Sequence, residues 1–333
     1  MRKSVSCFAA VAVLCLTVPL RADHHIETVL DGLDNPSGVT IQPETGHVFV
    51  SDSGAGRVIR VVDGKAQDVI TGFPIDVYGK GPKYNIGPLG LAFLDEDTLV
   101  VGGGGQKDGD EQLRVYKIPK AGEKAIAADK MEAQFKLAPS DETKGEGNFY
   151  GLAVTKGGIY VTCNGDDTKG WVAKATRDGT KVGPFKRFLA TKEETDIDAP
   201  VAITVSPRGE LVVGQMGEVT VPNDGLLTFY GEDGKMLANF ETGLSDVTDI
   251  AYSPKGMLYA LDFSWVDATK GGLFRLVAKR DGNAQTVIAK EMEKLDKPSA
   301  MVFGKDGSLY ITVFGTADGD KKGGKLLKVE IGL

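Results

Sequence analysis

The chain has 333 residues, 44 of them glycine, and carries a formal net charge of −7 at pH 7. This length is enough for one large domain or two medium ones. The acidic balance argues against nucleic acid and anionic lipid as partners, because both would be repelled.

The first 22 residues have the layout of a secretory signal peptide. Arg2 and Lys3 precede an apolar run over residues 5–20, and the small residue Ala22 stands at the expected cleavage point. The run is too short and wrongly flanked for a membrane-spanning helix. Cleavage would leave a net charge of −10 and Cys163 as the single cysteine, so no intrachain disulfide could form. We therefore expect an exported protein, periplasmic or extracellular, with no membrane association once the signal is removed.

A unit of short strands recurs along the rest of the chain. Its first copy, from Leu33 to Val61, reads LDNPSGVTIQPETGHVFVSDSGAGRVIRV, which is two short strands joined by a turn, then a loop and a third strand. A fourth strand follows, here at 67–71. Short β-rich runs bounded by Gly, Pro, Asp and Ser predict strands, and a repeat of four-stranded units is typical of a β-propeller. The six predicted blades cover approximately residues 33–73, 86–139, 147–190, 198–242, 243–293 and 294–333.

The two ends of the repeated region are predicted to pair. The sixth copy stops at Leu333 straight after its third strand, so its blade lacks a fourth. The segment HIETVLDG at 25–32 resembles the fourth strands AQDVITG and AQTVIAK of the first and fifth copies. We therefore predict an all-β, six-bladed β-propeller in a single domain over 23–333. The strand at 25–31 would complete the last blade and close the ring, leaving no open edge. We also expect a monomer.

The repeat carries a family resemblance. The turn at Asn35–Gly38, then a strand similar to G-x-L-Y-V, then G-x-V/L-x-R, resembles the NHL repeat. The chain is also similar to the six-bladed propellers that include the SMP-30/gluconolactonase and strictosidine synthase-like proteins, as an exported bacterial-type member. The resemblance covers essentially the whole chain after residue 22 and implies the propeller fold. It does not assign an activity, because one fold hosts many functions.

Loop lengths indicate which face of the propeller carries the function. Connections between strands one and two are short, whereas those between strands two and three, and between blades, are long and variable, as at 74–87. In a four-stranded meander both variable sets open on one face, and function on a rigid scaffold concentrates in such loops. We expect this loop-rich face to contact a small molecule, a glycan or a protein. The acidic loops at 107–110 and 164–167 are interpreted as solvated turns, since Asp-Gly is a turn signal.

Two circles of residues are predicted to border the central channel at the loop-rich face. One circle lies just before strand one of each blade, and the other lies at the end of strand two. Their polar and aromatic members, with neighbouring residues of the rim, are the side chains best placed to contact a ligand. The predicted ligand-binding residues are Asp52, Tyr150, Gln215, Asp249, Asp262, Trp265 and Phe314.

The family resemblance implies a divalent metal ion held by Glu, Asn and Asp near the starts of the inner strands. The circle before strand one contains no carboxylate or carboxamide, and Asp249, one position later, comes nearest. Asp52, Asp249 and Asp262 could form a reduced oxygen site for Ca²⁺, Mg²⁺ or Zn²⁺. A separate hypothesis concerns the cleaved N-terminus, where His25 would stand third from a free amine and could bind Cu(II) or Ni(II). The sequence requires no cofactor beyond these candidates.

Histidine is too scarce for several familiar sites. The chain contains only His24, His25 and His47, and the last stands at a turn away from the loop-rich face. A Ser-His-Asp triad, a His-rich metal site and the His-based sites of quinone-dependent sugar dehydrogenases would therefore lack their central residue. Acid/base chemistry by carboxylates alone stays open.

These features favour an exported binding protein over an enzyme, and the sequence assigns no catalytic residue. The alternative is a metal-dependent hydrolase similar to the SMP-30/gluconolactonase lactonases, with Asp52, Asp249 and Asp262 as its reduced carboxylate site. A structural interaction protein is the third hypothesis.

Overall fold

The computed structural model describes residues 24–79, 81–165, 168–282 and 284–332. The predicted signal peptide and its cleavage point lie outside these residues. No helix in the described ranges is long and apolar enough to cross a membrane.

Six antiparallel sheets are arranged as the blades of a propeller, which confirms the fold predicted from the sequence. Numbered in chain order, the strands of blades 1 to 3 are β2 (Pro36–Ile41), β3 (Val48–Asp52), β4 (Arg57–Val62) and β5 (Lys65–Thr71); β8 (Pro88–Phe93), β9 (Thr98–Gly103), β10 (Leu113–Lys117) and β12 (Ala133–Phe135); and β13 (Leu152–Thr155), β14 (Gly158–Thr162), β15 (Trp171–Asp178) and β16 (Lys181–Ala190). Those of blades 4 to 6 are β17 (Pro200–Val205), β18 (Leu211–Gln215), β19 (Leu226–Tyr230) and β20 (Met236–Glu241); β21 (Val247–Tyr252), β22 (Leu258–Asp262), β23 (Gly272–Asp281) and β24 (Ala284–Lys294); and β25 (Pro298–Phe303), β26 (Leu309–Val313), β27 (Gly324–Glu330) and β1 (His25–Leu33).

A few short elements decorate the blades. β11 (Ile126–Ala127) pairs in parallel with the outer strand β5 and covers the edge of blade 1. The helix α1 (Thr191–Thr195) follows blade 3, and single 3₁₀ turns occupy 53–55 and 268–270. The connection from blade 1 to blade 2 forms a hairpin of β6 (Asp76–Tyr78) and β7 (Tyr84–Ile86).

The N-terminal strand closes the ring, as the sequence predicts. β1 pairs antiparallel with β27, from His25 opposite Glu330 to Leu33 opposite Gly324. Leu33 and Leu326 are buried in one apolar cluster. The last blade is therefore assembled from both ends of the described chain, which leaves no unpaired seam beside it.

Hydroxyl groups on inner strands connect neighbouring blades around the channel. Each of four such groups donates a hydrogen bond to a carbonyl of the first strand of the next blade. The donor and acceptor pairs are Ser51 and Leu89 (2.6 Å), Thr162 and Val201 (2.8 Å), Thr248 and Pro298 (2.9 Å), and Ser299 and Pro36 (2.5 Å). The donors are buried, and each bond satisfies a hydroxyl group that water does not reach.

Glycine allows the inner strands to approach one another. A Cβ on Gly38 would lie 2.1 Å from the Leu89 carbonyl oxygen, and one on Gly90 would lie 2.2 Å from the Tyr150 carbonyl oxygen. Neither contact leaves room for a side chain, so these positions require glycine for close approach of the backbone.

The β6–β7 hairpin lies across the mouth of the channel at the loop-rich face. The Tyr84 ring packs edge-on against Phe314, Trp265 and Phe263, with centroid separations of 5.1, 5.3 and 5.9 Å. Tyr78, on the other strand of the hairpin, packs against Trp265. The hairpin thus joins blades 1 and 2 to blades 5 and 6, and we name these five rings the aromatic plug.

Removal of residues 24–31 should lower the melting temperature by about 10 °C or more, because the last blade would lose its outer strand and its share of the buried cluster. Thermal unfolding followed by circular dichroism measures the change. The double variant Glu27→Ala, Asp31→Ala keeps the strand and should melt within about 2 °C of the parent protein. An unchanged melt for the truncated protein would contradict closure by β1.

Tyr84→Ala should destabilise the protein by about 2–4 kcal/mol, since a half-buried ring that contacts three others is removed. Tyr84→Phe retains the ring and should stay within about 1 kcal/mol of the parent. Urea unfolding measures both. Equal stability of the alanine and phenylalanine variants would show that the plug does not tie the hairpin to blades 5 and 6.

Candidate functional site

A cavity of about 520 Å³ opens at the channel mouth on the loop-rich face. It is formed by the β6–β7 hairpin and by connections of blades 2, 3, 4 and 5, so it is built from the long and variable loops. Its polar lining consists of Asp76, Gln106, Lys107, Asp108, Asn148, Asn164, Asp198 and Glu218.

The cavity is rich in oxygen atoms and acidic. Four carboxylates and three carboxamides line it, against Lys107 as the one cationic side chain among the lining residues that the structure describes. Such a lining offers many hydrogen-bond acceptors and attracts cations or hydroxyl groups, whereas it repels anionic groups.

The floor of the cavity is aromatic. Tyr78 and Trp265 line the cavity and also the narrower space of about 60 Å³ beneath it. That lower space is mostly apolar and is bordered by Tyr150, Met216 and Phe314. A flat apolar surface below a polar rim suits a ligand that has an apolar face and a polar edge.

Asn148 reaches the cavity from a corner just before strand one of blade 3. Its φ of 47° is left-handed, a conformation that Asn adopts more easily than most residues. Its backbone N–H donates to Glu111 Oε2 at 2.5 Å, which holds the corner in place. Asn35, Ala199 and Lys297 have a positive φ at the same place in blades 1, 4 and 6. The corner is therefore a feature of the repeat, and in blade 3 it carries a carboxamide.

Asn164 and Asp198 are held by neighbouring groups. Asn164 Nδ2 donates to the Tyr78 hydroxyl at 3.0 Å and so connects blade 3 to the hairpin. The Asp198 carboxylate accepts from Lys192 Nζ at 2.6 Å and from the Ala199 N–H at 2.7 Å. Both side chains are thereby oriented before any ligand arrives.

Two of the predicted aspartates organise loops. Asp52 is buried and accepts from the Asp34 N–H at 2.7 Å and from Arg57 Nε at 2.8 Å. Asp262 is buried too, and its carboxylate accepts from three backbone N–H groups, those of Ser245, Asp246 and Ser264. Burial raises the pKa of both carboxyl groups, although these hydrogen bonds oppose the rise.

Asp249 lies towards the other end of the channel. It borders an opening lined by the first strands of the blades, and its carboxylate accepts from the N–H groups of Met301 (2.6 Å) and Ile250 (2.8 Å). Burial raises its pKa to about 7. The described residues contain no group of three or more His, Cys, Asp or Glu side chains placed to hold a metal ion. Asp52, Asp249 and Asp262 are thus not gathered into the predicted reduced site.

The other predicted ligand-binding residues are distributed between cavity and core. Trp265 lines the mouth cavity, while Tyr150 and Phe314 border the space beneath the plug. Gln215 is fully buried, and both ends of its amide are hydrogen-bonded, to Thr195, Ile197 and Thr228. His25 begins β1, and the amine proposed to join it in metal binding lies outside the described residues.

Sequence reasoning missed most of the cavity lining. It placed the circle of candidates at Tyr150, two residues after Asn148, and it interpreted the loops of Asp108 and Asn164 as solvated turns. The recurring corner before strand one was the available signal, because Asn35 and Asn148 both stand there, three residues before a glycine.

No protein-family model and no curated protein matches this chain. Solved structures do match along almost its whole length. A putative oxidoreductase (glucose dehydrogenase) from Thermus thermophilus is 17% identical with a TM-score of 0.62, and the match covers 92% of this chain and 100% of that one. A gluconolactonase from Xanthomonas campestris is 15% identical with a TM-score of 0.59, covering 93% and 90%. The PQQ-bound aldose sugar dehydrogenase from Streptomyces coelicolor is 15% identical with a TM-score of 0.57, covering 93% and 99%. At these identities the likeness establishes the propeller fold that this chain shares with gluconolactonase-like and sugar dehydrogenase structures.

Proposed function

We propose that this protein binds a small hydroxyl-rich molecule of the sugar-lactone class in the mouth cavity and hydrolyses it. The observation that carries the proposal is the convergence of carboxylates and carboxamides from the hairpin and blades 2, 3 and 4 on one cavity with an aromatic floor. Its volume, about 520 Å³, lies in the range of small-molecule sites.

The lining matches the chemistry of a sugar ring. Hydroxyl groups around the ring edge can donate to the carboxylates of Asp76 and Asp108 and exchange hydrogen bonds with the amides of Asn148 and Asn164. The C–H face of the ring can rest on Trp265. Gluconolactonases and sugar dehydrogenases among the structural neighbours support this ligand class over a protein partner.

Lactone hydrolysis can proceed on carboxylates. Water adds to the carbonyl carbon while a carboxylate takes its proton, the ring C–O bond then breaks, and the released ring oxygen accepts a proton. Asp108 is our candidate for the base, because it is exposed at the cavity wall and lies beside Gly147 and Gly165, next to the lining residues Asn148 and Asn164. The proposed reaction runs through these groups.

The PQQ of the Streptomyces coelicolor neighbour does not fit this cavity. PQQ carries three carboxylate groups, and a site for it would need several cations. The described lining supplies four carboxylates and Lys107. Repulsion in a partly desolvated cavity would oppose binding of such an anion, so we assign the chain to hydrolysis rather than to sugar oxidation.

Asp108→Asn should lower kcat/KM for hydrolysis of D-glucono-1,5-lactone by about 100-fold or more, the usual effect of losing a general base. Proton release in a weakly buffered assay measures the rate. The matched control is Asp110→Asn, because Asp110 is two residues away, exposed and paired with Lys136 outside the cavity; it should keep the parent rate. Failure of the parent protein to hydrolyse the lactone faster than buffer would overturn the proposal.

The acidic lining should also discriminate between lactone and product. Hydrolysis creates a carboxylate, so gluconate should bind at least about 10-fold more weakly than the neutral lactam analogue of the lactone at low ionic strength. Added salt should reduce this difference in affinity, because it screens the repulsion between gluconate and the acidic lining. Titration calorimetry at two salt concentrations tests this, and tighter binding of gluconate would contradict it.

A further inference from the structure

We propose that Asp108 and Glu111 form a carboxyl pair that holds one proton between them at neutral pH, and that Glu111 is a positioning residue for Asp108 and Asn148. The inference deepens the proposed function and rests on it for its effect on hydrolysis. The pair itself follows from the geometry of the loop between β9 and β10.

Glu111 is buried directly behind the cavity wall. Its side chain is 1% exposed, and its Oε2 accepts from the Asn148 N–H at 2.5 Å. Its Oε1 is buried and receives no hydrogen bond of good geometry, although the Gln106 backbone lies near the carboxyl. A buried carboxylate oxygen without a donor is costly when charged, and it is the natural position for a proton. The carboxyl can then still accept from Asn148 through Oε2.

Asp108 lies beside the same point of the backbone. A Cβ on Gly147 would lie 1.4 Å from Glu111 Oε2 and 2.7 Å from Asp108 Oδ1, so these two carboxyl oxygens are at most 4.1 Å apart. One of the pair is exposed in the cavity and the other is buried behind it. Two carboxyl groups this close cannot both ionise easily, so one of them retains a proton.

The surrounding charges favour that proton on Glu111. The titratable groups that act on Glu111, or share its surroundings at the junction of blades 2 and 3, are Asp76, Asp108, Arg114, Glu146, Cys163 and Arg187. Arg114 donates instead to the amides of Gln106 and Gln112, and Arg187 faces Glu146. Burial, together with Asp108 and Asp76, raises the pKa of Glu111 to about 8 against the opposing hydrogen bonds from the backbone of Asn148 and of Gln106.

The pair explains how Asp108 could serve as base beside other acids. While Glu111 is protonated, Asp108 is the charged member and faces the cavity. Once Glu111 ionises, the two charges repel one another, which displaces the Asp108 carboxylate from its position at the cavity wall. Hydrolysis should then decline as pH rises through the pKa of Glu111, because the competent state has that residue neutral.

Glu111→Gln tests the pair, because glutamine is neutral and can still accept from the Asn148 N–H. We expect the parent kcat/KM for D-glucono-1,5-lactone to fall about 10-fold per pH unit above pH 8, after subtraction of the buffer rate, and this decline to be absent in Glu111→Gln. Glu111→Ala removes the acceptor as well and should lose activity at every pH. A glutamine variant with the parent pH profile would overturn the positioning role.

A second readout does not depend on turnover. The infrared carbonyl band of protonated carboxylic acids should contain a component that disappears with a midpoint near 8, above the midpoints near 7 of Asp246 and Asp249. This component should be absent in Glu111→Gln and retained in Asp110→Asn. If the band behaves so but no lactone is hydrolysed, the pair stands and the proposed function fails. If no band is assignable to Glu111, the pair fails whatever the activity.

The pH dependence of the unfolding free energy provides a third test of the pair. The native protein binds the Glu111 proton more tightly than the unfolded chain, so this group stabilises the fold most at low pH and the contribution is lost as pH rises from about 4.5 to 8. The unfolding free energy of the parent should therefore fall more steeply than that of Glu111→Gln across this interval. Parallel curves in urea unfolding would contradict the pair.

Discussion

The hydrogen bonds that inner-strand hydroxyls donate across blade boundaries are the constraint on which the rest of the structure depends. A propeller blade satisfies its own backbone within its sheet, but the carbonyls at the entry of strand one face the neighbouring blade. Ser51, Thr162 and Ser299 supply donors there, and all three are buried. Each bond fixes the position of one blade along the channel axis relative to the next blade. Apolar packing alone does not do this, because it is not directional.

The relative position of the blades determines where the loops of the loop-rich face meet. In blades 1, 4 and 6 the positive-φ corner before strand one lies next to these bonds, whereas in blade 3 the corner is held by the bond from the Asn148 N–H to Glu111. Most corners carry residues that serve the fold, whereas blade 3 carries Asn148 and points it into the cavity. The β6–β7 hairpin then covers the channel and confines the cavity to the loop-rich face. A site of this kind can change its ligand through its loops while the ring stays the same.

The fold was predictable from the sequence to the level of strand order, and the site was not. Six repeats of alternating strands and turns specify blades locally, and the missing fourth strand of the last repeat identified β1 as its partner. The site depends on which oxygens converge across loops that are far apart in sequence, and no local pattern encodes that convergence. Gln215 illustrates the limit, since it was predicted to contact a ligand but its amide bonds to Thr195, Ile197 and Thr228 inside the protein.

Buried acids on the loop-rich face impose a cost that the propeller alone does not require. Asp246 is buried beneath the blade 5 loop, one of its oxygens has no partner, and burial raises its pKa to about 7. Its native form holds a proton more tightly than the unfolded chain, so it stabilises the fold below about pH 4 and loses that contribution as pH rises to about 7. The contribution of Glu111 to stability is likewise lost as pH rises. Asp246 accepts from the Trp265 N–H and Glu111 from the Asn148 N–H, so each buried carboxyl group holds backbone that carries a cavity residue, at some expense of stability near neutral pH.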